Sequence, residues 1–312
     1  MGDTGVAVGA AVDGMEGFRG ELTRYCYRML GSYAEAEDAV QETLVRAWRG
    51  IGRFEGRSAL RSWLYRIATN VCMDALASGR RRALPMDLTG PADGGTPPGP
   101  PQNAALWVEP CPGGEPEAAA ATGESVRLAF VAALQHLPPR QRATLLLRDV
   151  LGFSARDVAD LHGSTVASAN SALQRARATL ADRRREEEPT VQPPDNVRRV
   201  LAARTLCLPP YAKWMRGVPE IRAWLTGPAI GCRGSRLVPT AANGSPAFGQ
   251  YRPRRGPDGT GYEPWALQVL EFSGGRITGI TAFRDTERLF PVFGLPDHLH
   301  EDAPTSAAET PR

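Results

Sequence analysis

Between Ser164 and Arg177 the chain sets out Ser164, Thr165, Ser168, Asn170, Ser171, Gln174, Arg175 and Arg177, side chains suited to hydrogen bonding rather than bond breaking. Val166, Ala169, Leu173 and Ala176 recur among them at helical spacing, so the polar groups ride on a helix held by a narrow apolar seam. Gly163, with Ser164 or Thr165, supplies a turn and a cap for its free N–H groups. Ser154 to Leu161 reads as a second short amphipathic helix just upstream. Two short helices joined by a Gly-containing turn, the second polar and Arg-ended, are the layout of a helix-turn-helix that reads base edges in the DNA major groove. Two surface helices of an α-bundle would show the same spacing.

Two further constellations lie nearer the N-terminus. Asp38, Gln41 and Glu42 stand at i, i+3 and i+4, one acidic and amide face opposite the Val40/Leu44 stripe. The same pattern suits an ordinary solvated face. Phe54, Arg57 and Ser58 sit in a Gly-containing loop that leads into a helix bearing Arg61, Trp63, Arg66 and Asn70. Aromatics interleaved with arginines offer single-stranded nucleic acid planar faces for stacking and cations for phosphates. Trp63 and Phe54 fit the core of a small helical domain equally well. Catalytic signatures are missing: there is no Walker A loop, H-E-x-x-H, G-x-S-x-G or Rossmann fingerprint. The five cysteines form no C-x-x-C pair and have no His at metal spacing, so they read as thiols in a reducing cytosol, and no metal or cofactor is expected.

The net charge of +3 conceals segregation. Residues 14–83 hold 12 Arg against 8 acids, and residues 124–185 hold 10 Arg against 5. Between them, residues 84–123 carry 5 acids and no Arg or Lys. Two basic blocks around an acidic tether point to nucleic acid rather than to a small-molecule enzyme. No apolar run approaches the roughly 18 residues of a membrane span, and the N-terminus lacks the basic region of a secretory signal. No membrane partner is therefore expected.

These groups need elements to position them. Residues 14–83 read as all-helical, with stripes at Phe18, Leu22, Tyr25, Met29 and Leu30, then at Ala39, Val40, Leu44, Val45 and Trp48, then at Trp63, Leu64, Ile67, Ala68 and Val71. Residues 84–123, dense in Pro, Gly and Ala, read as a flexible acidic linker, although Leu106-Trp107-Val108-Glu109-Pro110 is apolar enough to dock. Residues 124–183 are again helical and end in the helix-turn-helix. A Glu/Pro-rich break at 184–200 precedes residues 201–296, where strand alternation, an Asn243-Gly244 turn and a helix over Val218 to Leu225 predict an α+β domain. The chain is thus multidomain, all-α followed by α+β.

The run from Gly31 to Leu76, containing DAVQETL and LRSWLYRIATN, resembles region 2 of a group IV (extracytoplasmic-function) sigma-70 factor. The run from Ala133 to Leu180 resembles region 4 of that family. Trp107-Val-Glu-Pro in the linker, with Leu208-Pro-Pro-Tyr211 and later segments, resembles the subgroup carrying a C-terminal SnoaL-like (NTF2-like) domain. The resemblance implies a subunit that binds core RNA polymerase through the β′ clamp helices and the β flap, and directs initiation at a −10/−35 promoter. Asp38, Gln41 and Glu42 match the helix that binds the clamp helices. Phe54, Arg57, Ser58, Arg61, Trp63, Arg66 and Asn70 match the elements that recognise and melt the −10 element, where a base is flipped into a pocket. Ser164 to Arg177 match the −35 recognition helix, with Asn170 and Ala172 departing from its usual basic residues. An anti-sigma factor and a small-molecule ligand stay open as partners. Only 22 residues separate Arg185 from Leu208, so the opening helix of a SnoaL-like domain is shortened to a remnant at Asn196 to Arg204, and the domain is expected to be incomplete and regulatory. The alternatives are a stand-alone helix-turn-helix regulator, or a SnoaL-type enzyme fused to a DNA-binding module.

Overall fold

The structure, a computed structural model, describes residues 14–54, 59–78, 81–113, 127–187, 205–254, 261–273 and 276–300, in two compact units. The first joins the chain up to Arg82 with the segment that begins at Leu128. Helix α1 (Arg19–Leu30) stops at Gly31, whose φ of 72° turns its N–H back to the Tyr27 carbonyl. A Cβ there would also meet the Gln135 side chain at 3.1 Å, so glycine is required twice over. Ser32 caps α2 (Tyr33–Gly50) by accepting the Glu35 N–H at 3.2 Å. With α3 (Leu60–Ser78) these helices enclose Leu22, Tyr25, Cys26, Val40, Leu64 and Cys72. The Tyr25 hydroxyl, sealed in this core, finds Thr69 Oγ1 at 2.8 Å. Trp48 departs from its predicted apolar stripe and is 61% exposed.

Helix α4 (Leu128–Leu134) and helix α5 (Pro139–Leu145) follow, α5 running on into a π-helical turn at Leu146–Val150. Proline at the first position of α5 costs no hydrogen bond, because that N–H has no helical partner. Helix α6 (Ala155–Leu161) opens on a capping box: Asp157 N–H donates to Ser154 Oγ at 3.1 Å, and Ser154 N–H to Asp157 Oδ2 at 3.0 Å. After Gly163 (φ 58°) comes α7 (Val166–Glu187).

Buried polar groups bind the two halves of this unit. Arg142 on α5 is 3% exposed and donates to the carbonyls of Met29, Gln135 and Leu137 and to Gln135 Oε1. Gln135 in turn donates to the Arg28 carbonyl at 3.2 Å. Met29 lies in the last turn of α1 and Gln135 follows α4, so Arg142 stands where two helix C-termini converge. Their orphan carbonyls and dipole ends supply the negative potential that a carboxylate would otherwise provide.

The second unit carries a six-stranded sheet in the order β2-β1-β6-β5-β4-β3: β1 (Thr205–Cys207), β2 (Trp214–Arg216), β3 (Arg236–Ala242), β4 (Ser245–Pro253), β5 (Tyr262–Ser273) and β6 (Arg276–Phe283). All pairs are antiparallel except β1 with β6. Asn243 (φ 56°) and Gly244 (φ 64°) turn the β3–β4 hairpin, as their types predict. Helix α8 (Val218–Thr226) packs Ile221 and Trp224 against Leu206, Leu208, Met215 and Ala266, and α9 (Thr286–Val292) follows the sheet. The domain is α+β. Helix α7 runs on through Glu187, past the predicted start of the 184–200 break, and the rest of that break and the predicted remnant helix at 196–204 lie outside the described residues.

The acidic segment departs most from expectation. Rather than running as a flexible spacer, residues 83–113 belong to this second unit. Lys213 Nζ donates to the Asp93 carbonyl at 2.6 Å and the Thr96 carbonyl at 3.0 Å, and Trp214 Nε1 donates to the Thr89 carbonyl at 2.8 Å. Asn243 closes a reciprocal pair with the Cys111 backbone, at 3.0 and 2.9 Å, and Glu109 binds Arg288 at 2.5 Å. The docked motif is the apolar one: Trp107 is 3% exposed and Val108 fully buried. Proline lacks the N–H a continued helix needs and glycine disfavours helix entropically, so the segment forms only single turns (Pro85–Leu88, Ala104–Leu106) and its remaining carbonyls are available to a partner surface.

Candidate nucleic-acid interface

Helix α7 owes its position to Ala169, Leu173 and Ala176, all buried beneath it. Around that seam Thr165, Ser168, Asn170, Ser171, Gln174, Arg175 and Arg177 are exposed, and Ser164 is half-buried in the turn. Seven hydrogen-bonding side chains on the open side of one helix form a surface that can read base edges. Thr165 also caps the helix, its Oγ1 accepting the Ser168 N–H at 3.1 Å. Arg177 is held by Asp149 through two bonds of 2.9 and 2.7 Å, which also raise its pKa. A contact of Arg177 with DNA therefore requires it to leave this exposed ion pair, worth at most about 1 kcal/mol.

His162 ends α6 inside the turn, with Nε2 at 3.3 Å from Thr144 Oγ1 and its carbonyl accepting from Arg140 at 2.9 Å. Burial, then the nearby Arg140 charge, lower its pKa, so the turn carries a neutral imidazole.

On α3 the predicted residues divide. Phe54 packs on Trp63 with ring centres 5.0 Å apart, and Arg66 and Asn70 continue that face at i+3 and i+7, both exposed. Trp63 is half-buried, both core and surface. Arg61 points elsewhere. It pairs with Glu21, donates to the Leu151 carbonyl at 3.3 Å and lies over the rings of Tyr65 and Phe153, at 5.3 and 4.8 Å. The structure thus joins Arg61 to the segment between α5 and α6 rather than to the Phe54–Asn70 face. Arg57 and Ser58 lie outside the described residues.

On α2 Asp38 and Gln41 are exposed, and half-buried Glu42 binds Arg46 at 2.7 Å. Trp48 extends the same side of the helix, one full heptad turn beyond Gln41. Sequence reasoning placed Trp48 in the core because large apolar residues at helical spacing usually are buried. Its offset onto the Asp38/Gln41 face was the available signal.

The helical unit matches two known families at the places this geometry singles out. Residues 15–82 match Sigma-70 region 2, and residues 127–180 match Sigma-70, region 4. The ECF RNA polymerase sigma factor SigG of Mycobacterium tuberculosis is 41% identical over 313 residues, covering 91% of this chain and 83% of that protein. The chain belongs to the ECF sigma-70 factor family. The RNA polymerase sigma-H factor of Pseudomonas aeruginosa is 32% identical over 166 residues, covering 51% of this chain and 81% of its own. The crystal structure of the Mycobacterium tuberculosis extracytoplasmic function sigma factor SigJ shares the fold with a TM-score of 0.58 at 21% identity, over 91% of this chain and all of that one. As a sigma factor the chain acts with core RNA polymerase and promoter DNA to direct transcription initiation. Its C-terminal α+β unit is consistent with a SnoaL-like domain. Among the described residues, no helix of this sigma factor is long and apolar enough to cross a membrane.

Proposed function

We propose that α7 is the −35 reader of this sigma factor, that Phe54, Trp63, Arg66 and Asn70 engage the −10 element, and that Asp38, Gln41 and Glu42, joined by Trp48, bind the β′ clamp helices in the cytoplasm. The observation that carries this reading is the open side of α7, where exposed Ser, Thr, Asn, Gln and Arg side chains stand on a seam of alanine and leucine. Such a surface has little use in a packed bundle and matches direct readout. An exposed Trp beside acidic and amide groups is the composition of an interface anchor. Arg57 and Ser58 keep their proposed place in the −10 loop on sequence grounds alone.

The C-terminal domain acts, in this reading, as a regulator rather than a catalyst. It holds the segment that joins regions 2 and 4 by four polar anchors, Lys213, Trp214, Asn243 and Arg288. Whatever releases those anchors frees the tether between the two DNA-reading parts.

Run-off transcription across a genomic fragment library with purified core polymerase tests the whole. Promoter-dependent products that vanish with Asn170→Ala/Gln174→Ala are expected; products indifferent to that pair refute α7 as the reader. Removing residues 186–312 should alter the yield, and unchanged activity and core affinity would refute the regulatory role.

A further inference from the structure

Two guanidinium groups of the C-terminal domain share one indole. Arg252 lies 3.9 Å and Arg284 3.2 Å from the ring centre of Trp265. The backbone arranges this meeting. Gln250 pairs with Ala266 and Tyr251 with Pro264, leaving Trp265 opposite no residue at a bulge in β5, while Arg252 is the last residue but one of β4 and Arg284 follows β6 directly. A bulge redirects the side chain it carries.

The charges do not balance. Arg252 is paired with Glu263 at 2.5 Å, whereas Arg284 has no carboxylate partner among the described residues. Of its three nitrogens, only Nε is sealed from solvent without a hydrogen-bond partner. Burial pushes the Arg284 guanidinium down to about 10, Tyr211 and Cys232 beside it partly countering this and the like charge of Arg252 adding to it. Stacking on an aromatic face returns only part of the hydration such a cation loses. What remains is a planar fork with its outer nitrogens unspent, beside a second cation and the apolar cluster of Leu208, Trp224 and Ala282. Guanidinium forks match oxyanions in shape as well as charge.

We propose that Arg252, Trp265 and Arg284 form an oxyanion-binding site of the C-terminal domain, which receives the carboxylate or phosphate group of a small molecule on the outer nitrogens of Arg284. The site is independent of the promoter assignments above. It is tested on the full chain by following the indole N–H resonance of Trp265, assigned with Trp265→Phe, during titration with inorganic phosphate and, separately, benzoate, each against chloride at equal ionic strength. A saturable shift with one or both oxyanions and none with chloride is expected; phosphate alone assigns the phosphate class, benzoate alone the carboxylate class. Arg284→Gln should weaken the responding anion at least about tenfold, Arg252→Gln should weaken it less, and Arg276→Gln, an exposed arginine on β6, should leave it unchanged. Should Arg284→Gln fail to fold, Arg284→Lys replaces it, keeping the charge without the fork and again binding more weakly. No saturable shift with either anion, or equal affinity in wild type and in the folded Arg284 variant, overturns the proposal.

Discussion

Arg142→Met decides whether a buried cation with no carboxylate partner among the described residues can hold regions 2 and 4 together. Two effects oppose each other. Burial pushes the Arg142 guanidinium down to about 10, well below the usual arginine range, a penalty of about 3 kcal/mol on the charged form, which methionine removes. Against this, the substitution strips donors from four buried acceptors: the carbonyls of Met29, Gln135 and Leu137, and Gln135 Oε1. Each buried acceptor left unpaired costs about 1–3 kcal/mol. The losses sum to about 4–12 kcal/mol and exceed the relief even at their lower end. A net destabilisation of about 3–5 kcal/mol is the central expectation, since partial relaxation and water entry trim the upper range.

The effect has a direction as well as a size. Of the four acceptors, only the Met29 carbonyl belongs to the region 2 half, and Gln135 links Arg142 to the Arg28 carbonyl of that half. Arg142→Met should therefore lower the urea midpoint and also separate the halves, lengthening the distance between spin labels at exposed Asp38 and Asn170 before global unfolding begins. Arg142→Lys, with three donors on a point charge, should recover part of the stability. A variant as stable as wild type, with an unchanged label distance, would refute the claim that converging helix C-termini satisfy this cation.

Reversing charge with Asp38→Arg and Glu42→Arg should weaken core polymerase binding at least about tenfold in a pull-down titration while circular dichroism stays unchanged; equal binding returns that face to ordinary solvation. At Gly94 an ideal Cβ would stand 1.9 Å from the Glu220 carbonyl oxygen, so Gly94→Ala should lift the docked segment and speed chymotryptic cleavage after Trp107; a cleavage rate equal to wild type counts against docking. His162 supplies a pH test. Its folded pKa lies below the ordinary 6.5, so as pH falls through 6.5 the unfolded chain takes up the proton first and stability is lost until the folded pKa is passed. Urea midpoints between pH 7.5 and 5.5 should fall more steeply for wild type than for His162→Gln, and parallel slopes would show that the imidazole is not buried in solution.

The features legible from sequence share a physical basis: each is local. The Ala169/Leu173/Ala176 seam of α7, the short helix begun at Ser154 and the Asn243-Gly244 hairpin are fixed by residues within a few turns or one hairpin of each other, so their chemistry is written in nearby letters, although Val166, the first residue of the predicted seam, is exposed. Trp48 misled because spacing alone says that a residue lies on a stripe, not that a neighbour covers it. Arg61 and Arg142 were invisible for a different reason. Their partners, the Leu151 and Met29 carbonyls, are backbone atoms 90 and 113 residues away and carry no signature in residue type. The acidic segment fails by the same route. Its Pro/Gly composition limits it to single turns such as Pro85–Leu88 and Ala104–Leu106, so the carbonyls of Thr89, Asp93 and Thr96, outside any continuous helix, can accept from Trp214 and Lys213. Low intrinsic structure and tight docking are therefore compatible, and only the apolar Trp107-Val108 pair hinted at which applied. A tether of this kind is held by few anchors, each individually modest, so its release can be tuned by small changes at the domain that holds it.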